Sequence, residues 1–312
     1  MTLPDVDVII PTFNSSKTLE QCLYSVRKQD YSGKIIITVI DGGSNDNSVS
    51  IAKSYKAEVV IKKGMYGTGK NGARHFGESI TNAPFVMNID SDNILVEKSV
   101  IRRLVDPMIN DQTINISIPF TSIDEKSPSF NQWISLAEIK KVQHMASYGQ
   151  MTFDDYILMP DVFYGITNCS LLRRNIISMC GGYDSDIRLL ARIRRHGLSK
   201  GIIDKKSHFY HNQTDSLIHY LRKWQRRLNF FGKMKGDDLK NYFVEYPPEK
   251  TDDIDLKIGP IKSILYDPFV NLSYAIREKD IRYLWSLPYS VMFLSYIAIH
   301  PFLSYNVFRK FL

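Results

Sequence analysis

Short apolar runs alternate with helical patterns over the first half of this 312-residue chain. The first helical segment carries Leu19, Cys22, Leu23 and Val26 at positions i, i+3, i+4 and i+7, which is typical of an amphipathic helix. Strands that alternate with helices indicate βαβ units, so we predict an α/β fold with a mostly parallel sheet flanked by helices. Ligands bind at the carboxyl ends of the strands in such sheets. The strand-like runs are residues 6–10, 35–40, 58–61 and 85–89.

Polar residues follow three of these runs, as PTFN, DGGSNDNS and DSDN. In the second, Asp41 ends a strand, and Gly42 and Gly43 permit a sharp turn. The residues at 44–46 are suited to cap the next helix. The segment therefore predicts either a turn alone or a nucleotide site. In the second case the Asp41 carboxylate accepts hydrogen bonds from a base or a ribose.

Asp90 and Asp92 bracket Ser91 at the end of the fourth run. Alternation along an extended chain directs both carboxylates to one side, with their Cα atoms roughly 6–7 Å apart. Two close carboxylates repel each other unless a cation or a proton lies between them. Mg²⁺ and Mn²⁺ take few protein carboxylates and complete their shells with phosphate oxygens and water. The pattern predicts a clamp for one of these ions and a diphosphate; the simpler alternative is a turn that caps a helix.

A glycine-rich segment at residues 64–71 invites a second interpretation. Gly64, Gly69 and Lys70 fit the phosphate-binding pattern G-x-x-x-x-G-K, but Asn71 stands where that pattern needs Ser or Thr for magnesium. A nucleotide hydrolase of the P-loop type is therefore a weaker alternative. A glycine-rich helix start with Lys70 and Arg74 still predicts contact with a diphosphate.

The charge balance is basic, with 40 Lys and Arg against 33 Asp and Glu and a net charge of +7. This excess suits phosphates, nucleotides or an anionic membrane surface, although solvated surface charge alone explains it as well. We expect no nucleic-acid partner. The three cysteines have no metal-type spacing and indicate a reducing, cytosolic environment. The first ten residues show no signal-peptide pattern.

The carboxyl-terminal segment has a different character, because no residue from Tyr283 to Phe308 is formally charged. It is long enough to cross ~30 Å as a helix, but Pro288 and Pro301 interrupt it. We therefore expect an interfacial or re-entrant anchor, with a spanning helix or a buried helix pair as alternatives. This predicts a peripheral or monotopic protein on the cytoplasmic face of the cell membrane.

Four segments, in order, resemble the family 2 glycosyltransferases of the GT-A fold: VDVIIPTFNSSKTLEQCLYSVRKQ, VIDGGSNDNS, KNGARHFGESITNAPFVMNIDSDN and CGGYDSDIRLLARIRRHG. The resemblance covers roughly residues 5–235. It implies an inverting transferase that uses a UDP- or GDP-linked sugar. It also implies that Asp41 binds the base, and that Asp90 and Asp92 meet the metal and the ribose-diphosphate. The donor-binding residues expected are Pro11, Thr12, Phe13, Asn14, Asp41, Gly69, Lys70, Arg74, Asp90 and Ser91.

The same resemblance implies a carboxylate that serves as general base. The segment GGYD at 181–184 matches the start of the family pattern, and counting back from Gly197 places Asp186 on the catalytic Asp. Ser185 stands where the family has Glu, and the intervening loop is missing. Asp186 is the preferred base and Asp184 the alternative. A simple helix cap accounts for either residue as well.

His208 and His211 lie just before a basic segment, where the family often has a histidine that can reach the metal or the diphosphate; the resemblance points to His211 rather than His208. Either one is otherwise a surface histidine. In the basic segment that follows, Arg222, Arg226 and Arg227 are candidates to reach the pyrophosphate. The metal ligands expected are Asp92, Asp90 and His211.

These observations predict three segments. Residues 1–235 form the transferase domain, with a nucleotide-binding half at about 1–95 and an acceptor half at about 96–235. Residues 236–260 form a linker, and residues 261–312 form a hydrophobic helical extension that associates with the membrane. The acceptor is expected to be a glycan or a polyprenyl-phosphate-linked molecule. The rival function is a membrane-associated nucleotide-sugar-binding protein with a degenerate site.

Overall fold

The computed structural model describes residues 3–63, 69–163, 168–184 and 186–213, together with positions 216, 276 and 279. The chain divides into two compact units, one of Met1–Asp124 with Ala137–Gln213 and one of Glu125–Leu136 with Thr214–Leu312. The linker at 236–260 and most of the extension at 261–312 lie outside the described residues. The three predicted segment boundaries therefore stay predictions.

The first unit opens with the alternation that the sequence predicts. Its first half contains β1 (Val6–Thr12), α1 (Leu19–Arg27), β2 (Ile35–Asp41), α2 (Ser48–Ser54), β3 (Glu58–Ile61), α3 (Gly69–Ile80) and β4 (Phe85–Asn88). Then follow β5 (Asn93–Leu95), α4 (Val100–Asn110), β6 (Ile116–Ser122), α5 (Ser129–Ala146), β7 (Gln150–Met151) and β8 (Tyr156–Met159); the part of α5 before residue 137 belongs to the second unit. The last described elements are β9 (Leu171–Arg173), α6 (Arg174–Met179), α7 (Asp186–Arg195) and β10 (Gly201–His211).

The described strands form one sheet in the order β3-β2-β1-β4-β9-β6-β10-β8-β7, with β5 paired to β10. Strands β3, β2, β1 and β4 are parallel, as are β6 and β10. Strand β9 runs antiparallel between β4 and β6. The prediction of an α/β fold with a largely parallel sheet is confirmed. The antiparallel pairings, which belong to the second half of the unit, were not predicted.

Hydrophobic side chains pack on both faces of this sheet. Strand β1 alternates, since Val8 and Ile10 join one buried cluster and Ile9 joins the other. The predicted apolar stripe of α1 is fully buried in the first cluster, together with the apolar face of α4. Helices α6 and α7 supply much of the second cluster. Helices on both faces leave the carboxyl-end loops of β1, β2 and β4 at one edge of the sheet, where ligands bind in such folds.

Two buried acids away from that edge have structural roles. Asp7 is 1% exposed; it accepts the N–H of Ala83 at 2.7 Å and pairs with Arg174 at 2.6 Å. Asp204 is fully buried in β10 and pairs with Arg103 of α4 at 2.6 Å. Buried charges of this kind are tolerated because each is paired and hydrogen-bonded.

The second unit is described only in part. In its segment of α5, the rings of Phe130 and Trp133 lie 5.4 Å apart, and the Gln132 amide donates to the carbonyl of Ser127 at 2.8 Å. Among all described residues, no helix has both the length and the apolar composition needed to cross a bilayer. The charge-free run at 283–308 lies outside the described residues.

Candidate active site

The loops after β1, β2 and β4 are joined by hydrogen bonds. The Asn14 N–H donates to Ser44 Oγ at 2.8 Å, and Asn14 Oδ1 accepts the N–H of Asn45 at 2.8 Å. Asn14 has a φ of 50°, a left-handed conformation that Asn tolerates better than most residues. The Ser91 hydroxyl donates to Ser15 Oγ at 2.9 Å. The structure thus brings the predicted nucleotide loop and the Asp-x-Asp segment to one edge.

Asp41 is fully buried at the end of β2, and its own turn engages its carboxylate. Oδ1 accepts the N–H groups of Gly43 and Ser44 at 2.9 and 2.8 Å, and Oδ2 accepts the Ser44 hydroxyl at 2.5 Å. Gly43 has a φ of +97°, which the tight turn requires and a side chain disfavours. The turn interpretation accounts for these bonds. Base recognition by Asp41 stays a prediction, for which Oδ2, which accepts one bond from its own turn, keeps acceptor capacity.

Asp90, Asp92 and His211 come together, as the sequence predicts for the metal ligands. One ligand atom from each lies within 4.8 Å of the other two. The Asp90 N–H donates to Asn93 Oδ1 at 2.9 Å, and the Asn93 N–H donates back to the Asp90 carbonyl at 2.9 Å, which fixes the turn. The N–H of Asn212 donates to the Asp92 carbonyl at 2.9 Å, so the end of β10 is fastened to the same turn.

The charges at this group act on the titrating side chains around it. Burial lowers the pKa of His211, but the carboxylates of Glu138 and Asp92 outweigh it and leave that pKa raised. Burial, followed by the charges of Asp92 and Asp90, raises the pKa of the Cys22 thiol. The Cys22 thiol contacts the Asp90 carbonyl at 3.6 Å and is fully buried, so it packs as a small apolar group rather than serving as a nucleophile.

Mg²⁺ or Mn²⁺ fits this set of residues. Asp92 Oδ1 is buried, has no hydrogen-bond partner within the described part of the chain, and lies 3.6 Å from His211 Nε2. A buried carboxylate oxygen without a partner is costly unless a cation or solvent satisfies it. Two carboxylates and one imidazole are a donor set that such ions accept, and open positions remain for phosphate oxygens and water.

Arg74 of α3 connects the metal group to the candidate base. Its side chain is fully buried, and its guanidinium donates to Asp90 Oδ1 at 2.6 Å and to both Asp186 oxygens at 2.8 and 2.9 Å. The Tyr183 hydroxyl lies 3.0 Å from the same nitrogen that binds Asp186. Burial lowers the pKa of Arg74, but the charges of Asp186 and Asp90 outweigh it, so the pKa is raised and the cation persists.

This burial bears on the expected donor contact of Arg74. Its two terminal nitrogens face Asp90, Asp186 and Tyr183, so the arginine lies behind the carboxylates. Direct contact with the sugar nucleotide therefore stays a prediction. The structure shows that the guanidinium of Arg74 binds both Asp90 and Asp186 and holds their carboxylates in place.

The two candidate bases have different surroundings. Asp186 begins α7, is 9% exposed, and is bound to Arg74. The side chain of Asp184 is 40% exposed and forms a bidentate salt bridge with Arg192, with contacts of 2.9 and 2.8 Å. Only Asp186 of the two is joined through Arg74 to the metal group by the described contacts. The role of general base stays a prediction for both.

His208 lies outside the metal group. Its Nδ1 lies 2.7 Å from Glu97 Oε1, and its backbone N–H donates to Glu97 Oε2 at 2.7 Å. The hydrogen bond to Glu97 raises the pKa of His208, against burial, which lowers it. The preference for His211 over His208 therefore agrees with the geometry.

This pair predicts a pH-dependent stability. Because the folded pKa of His208 exceeds its unfolded value, its contribution is fully present below about pH 6.5 and is lost as pH rises through the folded pKa. Both side chains are 33% exposed, so we expect only about 0.5–1 kcal/mol. His208→Gln should lower the free energy of unfolding in urea more at pH 5.5 than at pH 8.5. His196→Gln, at an exposed position, is the control; an equal loss at both pH values would contradict this assignment.

Several predicted contacts lie outside the described residues. The segment 64–68 and the side chain of Lys70 are among them, although α3 begins with Gly69 and Lys70. Arg222, Arg226 and Arg227 are also outside. Pro11 and Thr12 are buried at the end of β1, Phe13 is half-buried, and Ser91 is half-buried beside Ser15.

Comparisons with known proteins agree with this fold. Residues 7–181, more than half of the chain, match the family model described as Glycosyl transferase family 2. The chain therefore belongs to glycosyl transferase family 2. The predicted family is confirmed.

Curated relatives match over about a third of the chain. The chain is 34% identical over 116 residues to an N-acetylglucosaminyltransferase of Bradyrhizobium elkanii, covering 35% of this chain and 62% of that protein. It is 34% identical over 110 residues to an N-acetylglucosaminyltransferase of Azorhizobium caulinodans, covering 34% of this chain and 28% of the relative. The matched segments thus span less than two thirds of each relative's length.

A solved structure gives the likeness over a longer stretch. The mannosyltransferase PcManGT from Pyrobaculum calidifontis, in complex with GDP-Man and Mn²⁺, is 16% identical and has a TM-score of 0.54. The alignment covers 95% of this chain and 76% of that one. At this identity the likeness supports the GT-A fold alone.

Proposed function

We propose that this protein is a metal-dependent inverting glycosyltransferase that moves a sugar from a nucleotide-diphospho-sugar to an acceptor. The observation that carries the proposal is the chain of contacts from Asp92 and Asp90, through buried Arg74, to Asp186 at the carboxyl edge of the sheet. An acid placed beside a metal group, but not within it, is what transfer to a hydroxyl requires.

Each residue then has a distinct part in the reaction. Asp90, Asp92 and His211 would hold Mg²⁺ or Mn²⁺, which supplies positive charge beside the diphosphate when bound. The loops that contain Asn14 and Asp41 bind the nucleotide. Asp186 accepts the proton of the acceptor hydroxyl as its oxygen bonds to the anomeric carbon. The bond from that carbon to the diphosphate breaks on the opposite face, and its electron pair leaves with the nucleoside diphosphate.

A panel of nucleotide-sugars tests this proposal. The names of the relatives and of the structural neighbour make nucleotide-linked N-acetylglucosamine and GDP-mannose the first donors to examine. We expect at least one donor to bind with Mn²⁺, to lose that binding in chelator, and to be turned over or slowly hydrolysed. Tight binding of ATP with no sugar nucleotide bound would favour a hydrolase. Donor binding with no turnover in any acceptor screen would favour the degenerate binding protein, which Ser185 in place of the family's Glu permits.

We further propose that the acceptor is membrane-linked and that residues 261–312 hold the enzyme at the cytoplasmic face of the membrane. The charge-free run at 283–308, with Arg282 before it and Arg309 and Lys310 after it, supports this proposal. A polyprenyl phosphate or a membrane glycan is the acceptor class that such a position suits.

Truncation after Asp280 tests the membrane proposal. The shortened protein should leave the membrane fraction and keep metal-dependent donor binding. Its transfer to a membrane-embedded acceptor should fall more than its transfer to a soluble analogue. Full-length protein that ignores liposomes and stays in solution without detergent would contradict the proposal, while donor binding would be unaffected.

A further inference from the structure

Glu138 of α5 lies directly behind His211. Its two carboxylate oxygens are 2.9 and 3.0 Å from His211 Nδ1. The Gln213 amide donates to Glu138 Oε1 at 2.8 Å. The His211 side chain is 7% exposed and that of Glu138 is 21% exposed, so the contact is largely shielded from water. A chain separation of 73 residues places this acid far outside the sequence motifs of the site.

The two nitrogens of the His211 ring face different groups. Nδ1 faces Glu138, whereas Nε2 faces Asp92 Oδ1 at 3.6 Å. That separation is too long for a hydrogen bond, but it is close to the roughly 3 Å that separates neighbouring ligands of one Mg²⁺ or Mn²⁺ ion. Nε2 is therefore the nitrogen that can bind the ion, and Nδ1 is the nitrogen through which Glu138 can hold the ring.

The groups around Nδ1 decide where the ring proton lies. The amide nitrogens of Asn168 and Gln213 lie 3.3 and 3.1 Å from Nδ1. The Glu138 oxygens are nearer and can only accept while the carboxylate is ionised. A proton on Nδ1 leaves the lone pair of a neutral ring on Nε2. Metal-bound histidines commonly have such a partner, which fixes the tautomer and the ring orientation and raises ligand basicity.

We infer that Glu138 is a positioning residue for the metal site: it holds His211 with Nε2 directed at the ion beside Asp92. This inference rests on the proposed function, because it needs an ion at the group of Asp90, Asp92 and His211. It assigns to α5 a part in the reaction that involves no contact with the donor. The competing explanation is a buried Glu–His pair that stabilises the fold and has no influence on metal binding.

Glu138→Gln separates these explanations, because it keeps the shape of the side chain and removes its charge. We expect Mn²⁺ affinity to fall by roughly 10–100-fold, measured from the free-ion electron paramagnetic resonance signal with and without UDP or GDP. The modulation that a bound imidazole nitrogen produces in the electron spin echo of Mn²⁺ should weaken together with the Mn²⁺ affinity. Glu138→Asp, which keeps the charge one methylene short, should recover part of the loss.

Glu97→Gln is the matched control, since it removes the charge from the other Glu–His pair of β10 and leaves the metal group untouched. Its Mn²⁺ affinity should equal that of the wild type. Thermal unfolding without metal shows whether each variant is folded. Weak binding by His211→Ala and normal binding by Glu138→Gln would overturn the inference and leave the proposed function intact. Failure of the wild type itself to bind Mn²⁺ would overturn both.

Discussion

Asp92→Asn is expected to abolish sugar transfer and metal-dependent donor binding. Asp92 Oδ1 is the buried oxygen that has no hydrogen-bond partner among the described residues, and it faces His211 Nε2. An amide in its place presents either a neutral oxygen or an N–H group to the cation. Asp90 already belongs to the metal group and shares its charge with Arg74 at 2.6 Å, so it does not make up for the lost charge.

Calorimetric titration with Mn²⁺ and the best donor of the panel measures this effect. Wild-type protein in chelator should behave like Asp92→Asn in buffer, since both lack the ion. Asp111→Asn is the control. Asp111 lies in the loop between α4 and β6 and pairs with Lys200 at 2.9 Å. Metal-dependent donor binding by Asp92→Asn at wild-type strength would remove Asp92 from the metal site.

The parts of this molecule that local sequence patterns encode were predictable. The apolar stripe of α1 follows a helical period, so the helix was predictable. Strands β1 to β4 are short apolar runs that end in polar turns, so their secondary structure and the sheet edge at which the turns lie also follow from the residues. Asp90 and Asp92 are separated by one residue, so their proximity is local as well. The start of α7 at Asp186 is marked by an acid before an amphipathic run, and Gly197 after it has the left-handed φ typical of a helix end.

Strands β6 and β10, in the second half of the sheet, were missed for identifiable reasons. Strand β6 contains Pro119, which has no N–H to donate and argues against a central strand. Strand β10 contains Lys205 and Lys206, where its register with β6 shifts and the alternation of apolar residues is lost. The sequence therefore indicated neither strand.

Contacts across long chain separations were also beyond local patterns. Glu138 is one acid in a helix, and Arg74 was expected to face the donor because its segment is glycine-rich and basic. Their partners are 73 and 112 residues away. The burial of Arg74 depends on α3 and α7 packing on the same face of the sheet, which no nearby residue encodes.

Asp186→Asn should lower turnover by roughly 10²–10⁴-fold and leave donor affinity within a few-fold of the wild type. Among the described residues, Arg74 is what joins Asp186 to the metal group, so the donor and the ion keep their own ligands in the variant. The amide oxygen can still accept a hydrogen bond from Arg74, which limits the loss of stability. Single-turnover rates together with donor titrations separate the two quantities.

Asp184→Asn and Asp161→Asn complete the test, because each removes an exposed acid that pairs with an arginine of α7. Asp161→Asn is the control. If Asp184→Asn alone loses turnover, the shortened loop has moved the base and Asp186 serves only to hold Arg74. If neither Asp184→Asn nor Asp186→Asn loses turnover, the acceptor arrives ionised, as a lipid phosphate would. In that case Arg74 and Asp186 together hold Asp90, and Arg74→Ala should then reduce Mn²⁺ affinity even though Asp186→Asn leaves the rate unchanged.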